Sequence, residues 1–194
     1  MLFVCTANVC RSRCAEVALK RLLIERSEES RMTVVSAGTD ADGDEAICRE
    51  VAATMRITSD RSRSHRLDAR DLERAGLVLA MERTHRAACA RLLPSCRPRL
   101  FTLRQAADLA TVVAHALALH GIPEGAPPMP AGSQERLRWF VAELDAIRGA
   151  LAGQPEGSED IVDRHGPDPH DATIDDVRDA VERLGQAMSA CLNV

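Results

Sequence analysis

The stretch Leu2-Phe3-Val4-Cys5-Thr6-Ala7-Asn8-Val9-Cys10-Arg11-Ser12 decides the fold of this chain. Its first three residues form an apolar run that predicts a buried strand. Residues 13–25 carry apolar side chains at helical spacing and predict a helix. The polar loop between them is therefore expected at the carboxyl end of a strand and at a helix N-terminus, where parallel α/β sheets bind their ligands.

A loop in this position is suited to hold an anion above a nucleophile. Its backbone N–H groups can converge on one anion, and the helix dipole adds partial positive charge. The same field favours the thiolate form of Cys5, and Arg11 can bind two phosphate oxygens through its planar guanidinium. We therefore predict a phosphocysteine mechanism that needs no cofactor and no metal. The predicted phosphate-binding residues are Thr6, Ala7, Asn8, Val9, Cys10, Arg11 and Ser12.

Strand and helix patterns alternate along the rest of the chain. Further strands are predicted at 33–35, 77–80 and 99–101, and further helices at 45–55, at 84–93 and around 177–188. This alternation favours a three-layer α/β fold in which a parallel sheet is covered by helices on both faces.

One region departs from the alternation. Two helical patterns, at 106–120 and 134–151, flank a Gly/Pro-rich turn at 121–130. We expect a single domain over residues 1–194, with a helical hairpin inserted at about 105–158. Trp139 and Phe140 on this hairpin are expected to contact the core, and a surface for a protein partner or for self-association is the alternative.

Composition excludes several classes of function. A net charge of -4 gives no support for nucleic-acid binding. No apolar stretch is long enough to cross a bilayer, and no leader is visible before the first strand. The seven cysteines are an odd number without a disulfide-scaffold spacing, so they are predicted to be reduced thiols in the cytoplasm.

The loop resembles that of the low-molecular-weight protein tyrosine phosphatase family, which reads roughly V-C-x-x-N-x-C-R-S. The resemblance covers about residues 2–104 and 160–190. It implies a four-stranded parallel sheet and hydrolysis of phosphotyrosine in protein substrates. Further segments that resemble the family's motifs are Ser36-Ala37-Gly38-Thr39, Ser64-His65-Arg66-Leu67, Leu79-Ala80-Met81 and Asp168-Pro169.

The resemblance also implies roles for individual residues. Asp168 is expected to be the general acid because Pro169 follows it, and Cys5, Arg11 and Asp168 are the predicted catalytic residues. Asp163 is the alternative acid, since the segment from 160 to 163 resembles the approach to the family's acid, but Arg164 stands where Pro is expected. The predicted loop-supporting residues are Asn8, Ser12, Ser36 and His65, the last in a segment that surrounds a buried histidine in the family.

The remaining cysteines and histidines are expected to have simpler roles. Cys10 is either a packing residue or a second thiol that traps oxidised Cys5. Cys48 is expected to be an ordinary small apolar residue, and His85 and His170 are expected to be solvated. No His, Cys, Asp and Glu residues have a metal-ligand spacing in the sequence, so no metal site is predicted.

Three other functions remain open from the sequence. An arsenate reductase on the same fold would need resolving thiols, for which Cys89 and Cys96 are the suggestive pair. The loop of a protein-arginine phosphatase resembles this one but has Thr in place of Val9. A catalytically weak phosphoprotein-binding module would use the hairpin as its interface.

Overall fold

A four-stranded parallel sheet organises the molecule, as predicted, and its strand order is β2-β1-β3-β4. The strands are β1 Leu2–Cys5, β2 Val35–Gly38, β3 Val78–Ala80 and β4 Leu100–Thr102. The structure is a computed structural model and describes residues 1–27, 32–58, 63–121, 130, 132–151, 155, 157–164 and 170–192.

Seven α-helices accompany the sheet in the described parts of the chain. They are α1 Arg11–Glu25, α2 Arg49–Thr54, α3 Ala69–Arg74, α4 Arg83–Leu92, α5 Leu103–His120, α6 Ser133–Ala146 and α7 His170–Leu192, and 3₁₀ helices cover Pro94–Arg99 and Arg148–Leu151. No helix among the described residues has the length and apolarity required to span a membrane.

Several element boundaries differ from the sequence prediction, and one helix is additional to it. The second strand begins at Val35 rather than at 33 and extends to Gly38, because β2 pairs with β1 along its whole length, from Leu2 opposite Val35 to Cys5 opposite Gly38. Helix α3 was missed. It is one and a half turns long, too short for an apolar periodicity, but Asp68 and Asp71 form a capping box at its start.

The two faces of the sheet bury separate apolar clusters. In β1, Phe3 and Cys5 point into the larger cluster, which includes residues of α1, α2, α5, α6 and α7. Leu2 and Val4 point to the opposite face and pack with residues of α3, α4 and the first 3₁₀ helix. This alternation is the expected consequence of the strand period and confirms the three-layer prediction.

Helices α5 and α6 occupy the region predicted as a hairpin. Helix α5 starts at Leu103, directly after β4, and packs along α7, while α6 contacts both. Phe140 is fully buried in the larger cluster and Trp139 packs against it half-buried. Most of the Gly/Pro-rich turn between the helices, residues 122–129 and 131, lies outside the described residues.

The order of the strands fixes where a ligand can bind. The chain moves from β1 outward to β2 and then crosses back to β3 on the other side of β1. The connections that leave the two sides of β1 run in opposite directions, which opens a crevice at its carboxyl end. The loop from Cys5 to Ser12 lies at this end.

Candidate active site

Three carbonyl groups of the loop accept hydrogen bonds from main-chain N–H groups outside the loop. Cys5 O accepts a hydrogen bond from Thr39 N at 2.9 Å, Thr6 O from Asp40 N at 2.9 Å, and Val9 O from Cys48 N at 3.0 Å. In a planar trans peptide the N–H of the next residue points away from the carbonyl. The N–H groups of Thr6, Ala7 and Cys10 are therefore directed away from these partners, as an anion-binding loop requires.

The start of α1 adds a positive field to the loop. Cys10 is the N-cap residue, its side chain forms no capping hydrogen bond, and the first turn of α1 contains no acidic residue. The partial positive charge of the helix N-terminus is therefore not neutralised by the helix's own side chains. This end of the helix is suited to an external anion.

Asn8 holds the loop in shape from behind. It adopts a left-handed conformation with φ 58°. Its amide nitrogen donates to Ser12 Oγ at 3.0 Å and to Ser36 Oγ at 2.7 Å, and its amide oxygen accepts from the main-chain N–H of His65 at 2.8 Å. Asn is one of the few residue types other than glycine that tolerate this conformation.

Ser12 connects this network to Cys5, the predicted nucleophile. Its hydroxyl oxygen lies 3.0 Å from Cys5 Sγ and already accepts a hydrogen bond from Asn8. The hydroxyl proton is thereby available to Cys5, and such a donor stabilises a thiolate more than a thiol.

Glu16 completes the network and was not identified from the sequence. It is buried, yet its Oε2 accepts from Ser36 Oγ at 2.6 Å and from Arg13 Nη1 at 2.8 Å, and its Oε1 accepts from Lys20 Nζ at 2.6 Å. A buried carboxylate is tolerated when it is paired and hydrogen-bonded in this way. Its position in the second turn of an amphipathic helix gives no sequence signal of this role.

His65 supports the loop through its main chain and not through its ring. The ring is exposed, and its Nε2 lies 2.8 Å from Asp71 Oδ2. The buried histidine expected from the resemblance is therefore wrong. The reason is the path of the main chain, because residues 65–67 run alongside Gly38. Gly38 N donates to His65 O, and Leu67 N donates to Gly38 O. This pairing directs the His65 N–H toward Asn8.

Gly38 allows the loop to pack against β2. A Cβ atom on this residue would lie 2.4 Å from Thr6 O and 2.8 Å from Asn8 N, both backbone atoms of the loop. Such distances are far inside van der Waals contact, so only glycine fits. This close approach gives a physical role to the Gly of the Ser36–Thr39 motif.

Arg11 is buried and held by two carboxylates. Its Nη1 forms an ion pair with Glu82 and donates to Ile161 O at 2.9 Å, and its Nη2 lies 3.1 Å from Asp163 Oδ2. Glu82 directly follows the Leu79-Ala80-Met81 motif but was not identified from the sequence as part of the site.

The segment that carries Asp163 is anchored to the sheet. Ile161 is fully buried and its N–H donates to Met81 O at 2.8 Å. Asp160 accepts from Arg83 N at 2.7 Å, at the start of α4. This anchoring places Asp163 next to Arg11, whereas Asp168 and Pro169 lie outside the described residues.

His85 is buried rather than solvated. Its Nε2 lies 2.8 Å from Thr6 Oγ1. Burial, and then the nearby Arg11 guanidinium, lower the pKa of His85 below its ordinary value. His85 is therefore a neutral hydrogen-bonding partner of the loop at physiological pH. Its proximity to the loop depends on the packing of α4, which the sequence did not reveal.

Cys10 lies against residues from two other elements. The Cys10 and Cys48 sulfurs and a His170 ring nitrogen are all within 4.8 Å of one another. Burial raises the pKa of both thiols above its ordinary value. The sequence did not predict this cluster, because its members come from three separate elements. These are the loop of residues 5–12, hereafter the phosphate loop, the N-cap of α2 and the start of α7.

Comparison with known proteins agrees with the geometry of the loop. The family model described as low molecular weight phosphotyrosine protein phosphatase matches residues 1–113. A Salmonella typhi protein, "Low molecular weight protein-tyrosine-phosphatase Wzb", is 32% identical over 103 residues, which span 52% of this chain and 65% of that protein. The match thus spans just under two thirds of that relative's length.

Solved structures also resemble this chain. A YwlE mutant from Bacillus subtilis has a TM-score of 0.48 and 22% identity, over 75% of this chain and 95% of that one. The YwlE arginine phosphatase from Geobacillus stearothermophilus has a TM-score of 0.44 and 23% identity, over 77% of this chain and 88% of that one. Since the family model covers more than half of the sequence and includes the entire phosphate loop, the chain belongs to the low molecular weight phosphotyrosine protein phosphatase family.

Proposed function

We propose that this protein is a phosphatase that hydrolyses phosphotyrosine in proteins, and aryl phosphates, through a phosphocysteine intermediate. One observation carries the proposal above the others. Cys5 Sγ lies 3.0 Å from the Ser12 hydroxyl, at the base of a loop whose carbonyl groups are bonded outward. A stabilised thiolate beneath converging N–H groups is the arrangement for nucleophilic attack on a bound phosphate.

The first chemical step transfers the phosphoryl group to sulfur. The Cys5 thiolate attacks phosphorus in line, an S–P bond forms, and the P–O bond to the leaving group breaks. Loop N–H groups and the Arg11 guanidinium stabilise the charge on the equatorial oxygens. Arg11 would exchange its contact with Asp163 for the phosphate oxygens, which suits its bidentate binding.

A carboxyl group must then protonate the leaving oxygen. Asp163 is our candidate because it is already beside Arg11. Asp168, which the sequence favoured for its following proline, remains a prediction. In the second step the same carboxylate takes a proton from water, the water oxygen attacks phosphorus, and the S–P bond breaks to return the Cys5 thiolate and inorganic phosphate.

The described thiols argue against an arsenate reductase. Cys89 and Cys96 are fully buried in the apolar cluster on the face of the sheet opposite to the one that Cys5 faces. Burial raises the pKa of Cys89 to about 12, so it is not a reactive thiolate at neutral pH. These two residues are therefore unsuited to resolve an oxidised Cys5.

Two other candidates are separated from our proposal by assay. A protein-arginine phosphatase would prefer phosphoarginine, and a binding module would turn over neither substrate. Val9 stands where the similar loop of a protein-arginine phosphatase has Thr. Its side chain is half-buried against the larger cluster, which supports an apolar role for this position.

We further propose that α5 and α6 form a hairpin inserted into the family fold at about residues 105–158. The family model ends at residue 113, inside α5. Their burial against α7 supports a single domain. Leu119, 63% exposed on α5, would belong to the surface for a partner or for self-association.

A reducing compartment such as the cytoplasm suits a mechanism that requires a reduced Cys5.

The proposal is tested by measuring turnover of para-nitrophenyl phosphate, phosphotyrosine peptide, phosphoarginine and arsenate in parallel. We expect hydrolysis of the first two, with a phosphorylated Cys5 trapped by rapid acid quench and located by mass spectrometry. Preference for phosphoarginine, thiol-dependent arsenate reduction, or absence of turnover would each replace the proposed function with one of its rivals.

A further inference from the structure

Two thiols and an imidazole converge where the phosphate loop meets the starts of α2 and α7. Cys10, Cys48 and His170 each direct a ligand atom to one region, and all three atoms lie within 4.8 Å of one another. Cys48 Sγ and His170 Nε2 are 3.7 Å apart. Both cysteines are buried, at 7% and 9% exposure.

The spacing fits a zinc ion. Zinc binds sulfur at about 2.3 Å and imidazole nitrogen at about 2.0 Å in a tetrahedron, so these two ligand atoms should be about 3.6 Å apart. The observed Cys48–His170 distance is 3.7 Å. Two thiolates and one imidazole are also a soft ligand set of the kind that favours zinc over magnesium or calcium.

We propose that Cys10, Cys48 and His170 form a zinc-binding site, with water in the fourth position. Each thiol loses its proton when the metal binds. Glu50 is placed to accept the proton of Cys48, since its Oε2 lies 2.7 Å from the sulfur, and the proton of Cys10 is released to solvent. This chemistry is separate from the phosphatase reaction and uses neither Cys5 nor Arg11.

The site joins the phosphate loop to two other elements. Cys10 immediately precedes Arg11, Cys48 N already donates to Val9 O at 3.0 Å, and His170 begins α7. Zinc therefore ties the phosphate loop to α2 and to α7. It fixes the start of α7, which immediately follows the segment that carries the candidate acids.

The test uses the full chain, purified under reducing conditions, stripped with a chelator and titrated with Co²⁺ and then Zn²⁺. We expect one equivalent of Co²⁺ to bind with a thiolate-to-cobalt charge-transfer absorption that zinc abolishes. His170→Gln and Cys48→Ser should each weaken binding at least about tenfold, because each removes one of three protein ligands. Zinc should raise the Tm of the unchanged chain but not of these variants.

Two controls locate the metal. Cys191→Ala alters a buried cysteine outside the cluster and Cys5→Ser removes the nucleophile, so both should bind Co²⁺ like the unchanged chain. Circular dichroism identifies a variant that fails to fold, in which case the other ligand variant decides. The proposal is overturned if Co²⁺ still binds to both His170→Gln and Cys48→Ser, or if binding is lost only in Cys5→Ser. It is also overturned if the charge-transfer absorption is absent.

Discussion

The guanidinium of Arg11 and the carboxylate of Asp163 lie 3.1 Å apart, although they come from opposite ends of the chain. Arg11 starts the first helix, whereas Asp163 follows a segment anchored to β3 through Ile161. The residue that we propose as the phosphate clamp and a candidate proton donor for the leaving group are thus held in contact. The contact leads directly to a test of the general acid.

Asp163→Asn is expected to lower kcat for aryl phosphates by roughly 10²–10⁴-fold, the usual contribution of a positioned acid. The loss should be smaller with leaving groups that need no proton. Asp168→Asn is the matched comparison, measured by steady-state kinetics on the same series of substrates. A larger loss in Asp168→Asn would assign the acid to Asp168, as the following proline suggested, and would leave Asp163 as a partner of Arg11 only.

Cys5→Ser is expected to abolish turnover while phosphate or vanadate still binds, because only the nucleophile is lost. Arg11→Lys should also lose activity, since a point charge cannot replace the planar bidentate clamp. Initial rates and vanadate titrations on both variants check this, with Cys191→Ala as the control. More than trace activity in Cys5→Ser would contradict the phosphocysteine mechanism.

Gly38→Ala is expected to displace the phosphate loop, because the added Cβ would lie 2.4 Å from Thr6 O. Such overpacking typically costs about 1–3 kcal/mol of stability. We expect a lower Tm and a fall in kcat/KM of at least about tenfold, since catalysis depends on loop geometry. Gly76→Ala is the matched control, as its Cβ would meet only Leu137 Cδ2 at 3.8 Å. Equal behaviour of the two variants would show that the loop tolerates the displacement.

The lowered pKa of His85 predicts a loss of stability in acid. The unfolded chain takes up a proton on His85 near pH 6.5, whereas the folded chain does so only at lower pH. Its contribution to stability is therefore complete above pH 6.5 and declines as the pH falls through that value toward the folded pKa.

His85→Asn should reduce this decline. The measurement is the free energy of unfolding from urea titrations between about pH 7.5 and about pH 5.5, the range in which an unperturbed histidine titrates. The carboxylates of Glu82, Asp160 and Asp163 oppose the lowering of the His85 pKa. The contribution of His85 is therefore measured as the difference in unfolding free energy between His85→Asn and the parent chain at each pH. His115→Asn, at an exposed position, is the control. An unchanged slope in His85→Asn would remove His85 as the cause.

Asn8→Ala is expected to be among the most damaging substitutions outside the nucleophile. It leaves Ser12, Ser36 and the His65 N–H without their amide partner. Each unsatisfied buried group costs about 1–3 kcal/mol. The chain should lose both stability and phosphate affinity, measured by thermal unfolding and phosphate titration. Ser27→Ala, at another residue with positive φ (56°) but outside the loop, is the control.

Much of the fold could be predicted because its signals are local. The apolar run before Cys5, the helix after Ser12 and the alternation of strands and helices all lie within short windows of sequence. The sheet and its three layers follow from that alternation. The boundaries of several elements differed from the prediction. Helix α3 was missed because six residues carry too few apolar positions for a period.

The sequence by itself determined the nucleophile candidate, the arginine and the residues of the loop, because they are consecutive and their chemistry depends on a strand-to-helix turn. Only the tertiary structure decided which distant groups meet them. Glu16 beneath Ser36, Glu82 and Asp163 on Arg11, and His85 on Thr6 reach the loop through packing between elements. The same holds for Cys48 and His170 beside Cys10. Contacts across large sequence separations leave no periodicity or spacing in the chain, so they appear only when the sheet brings its strand ends together.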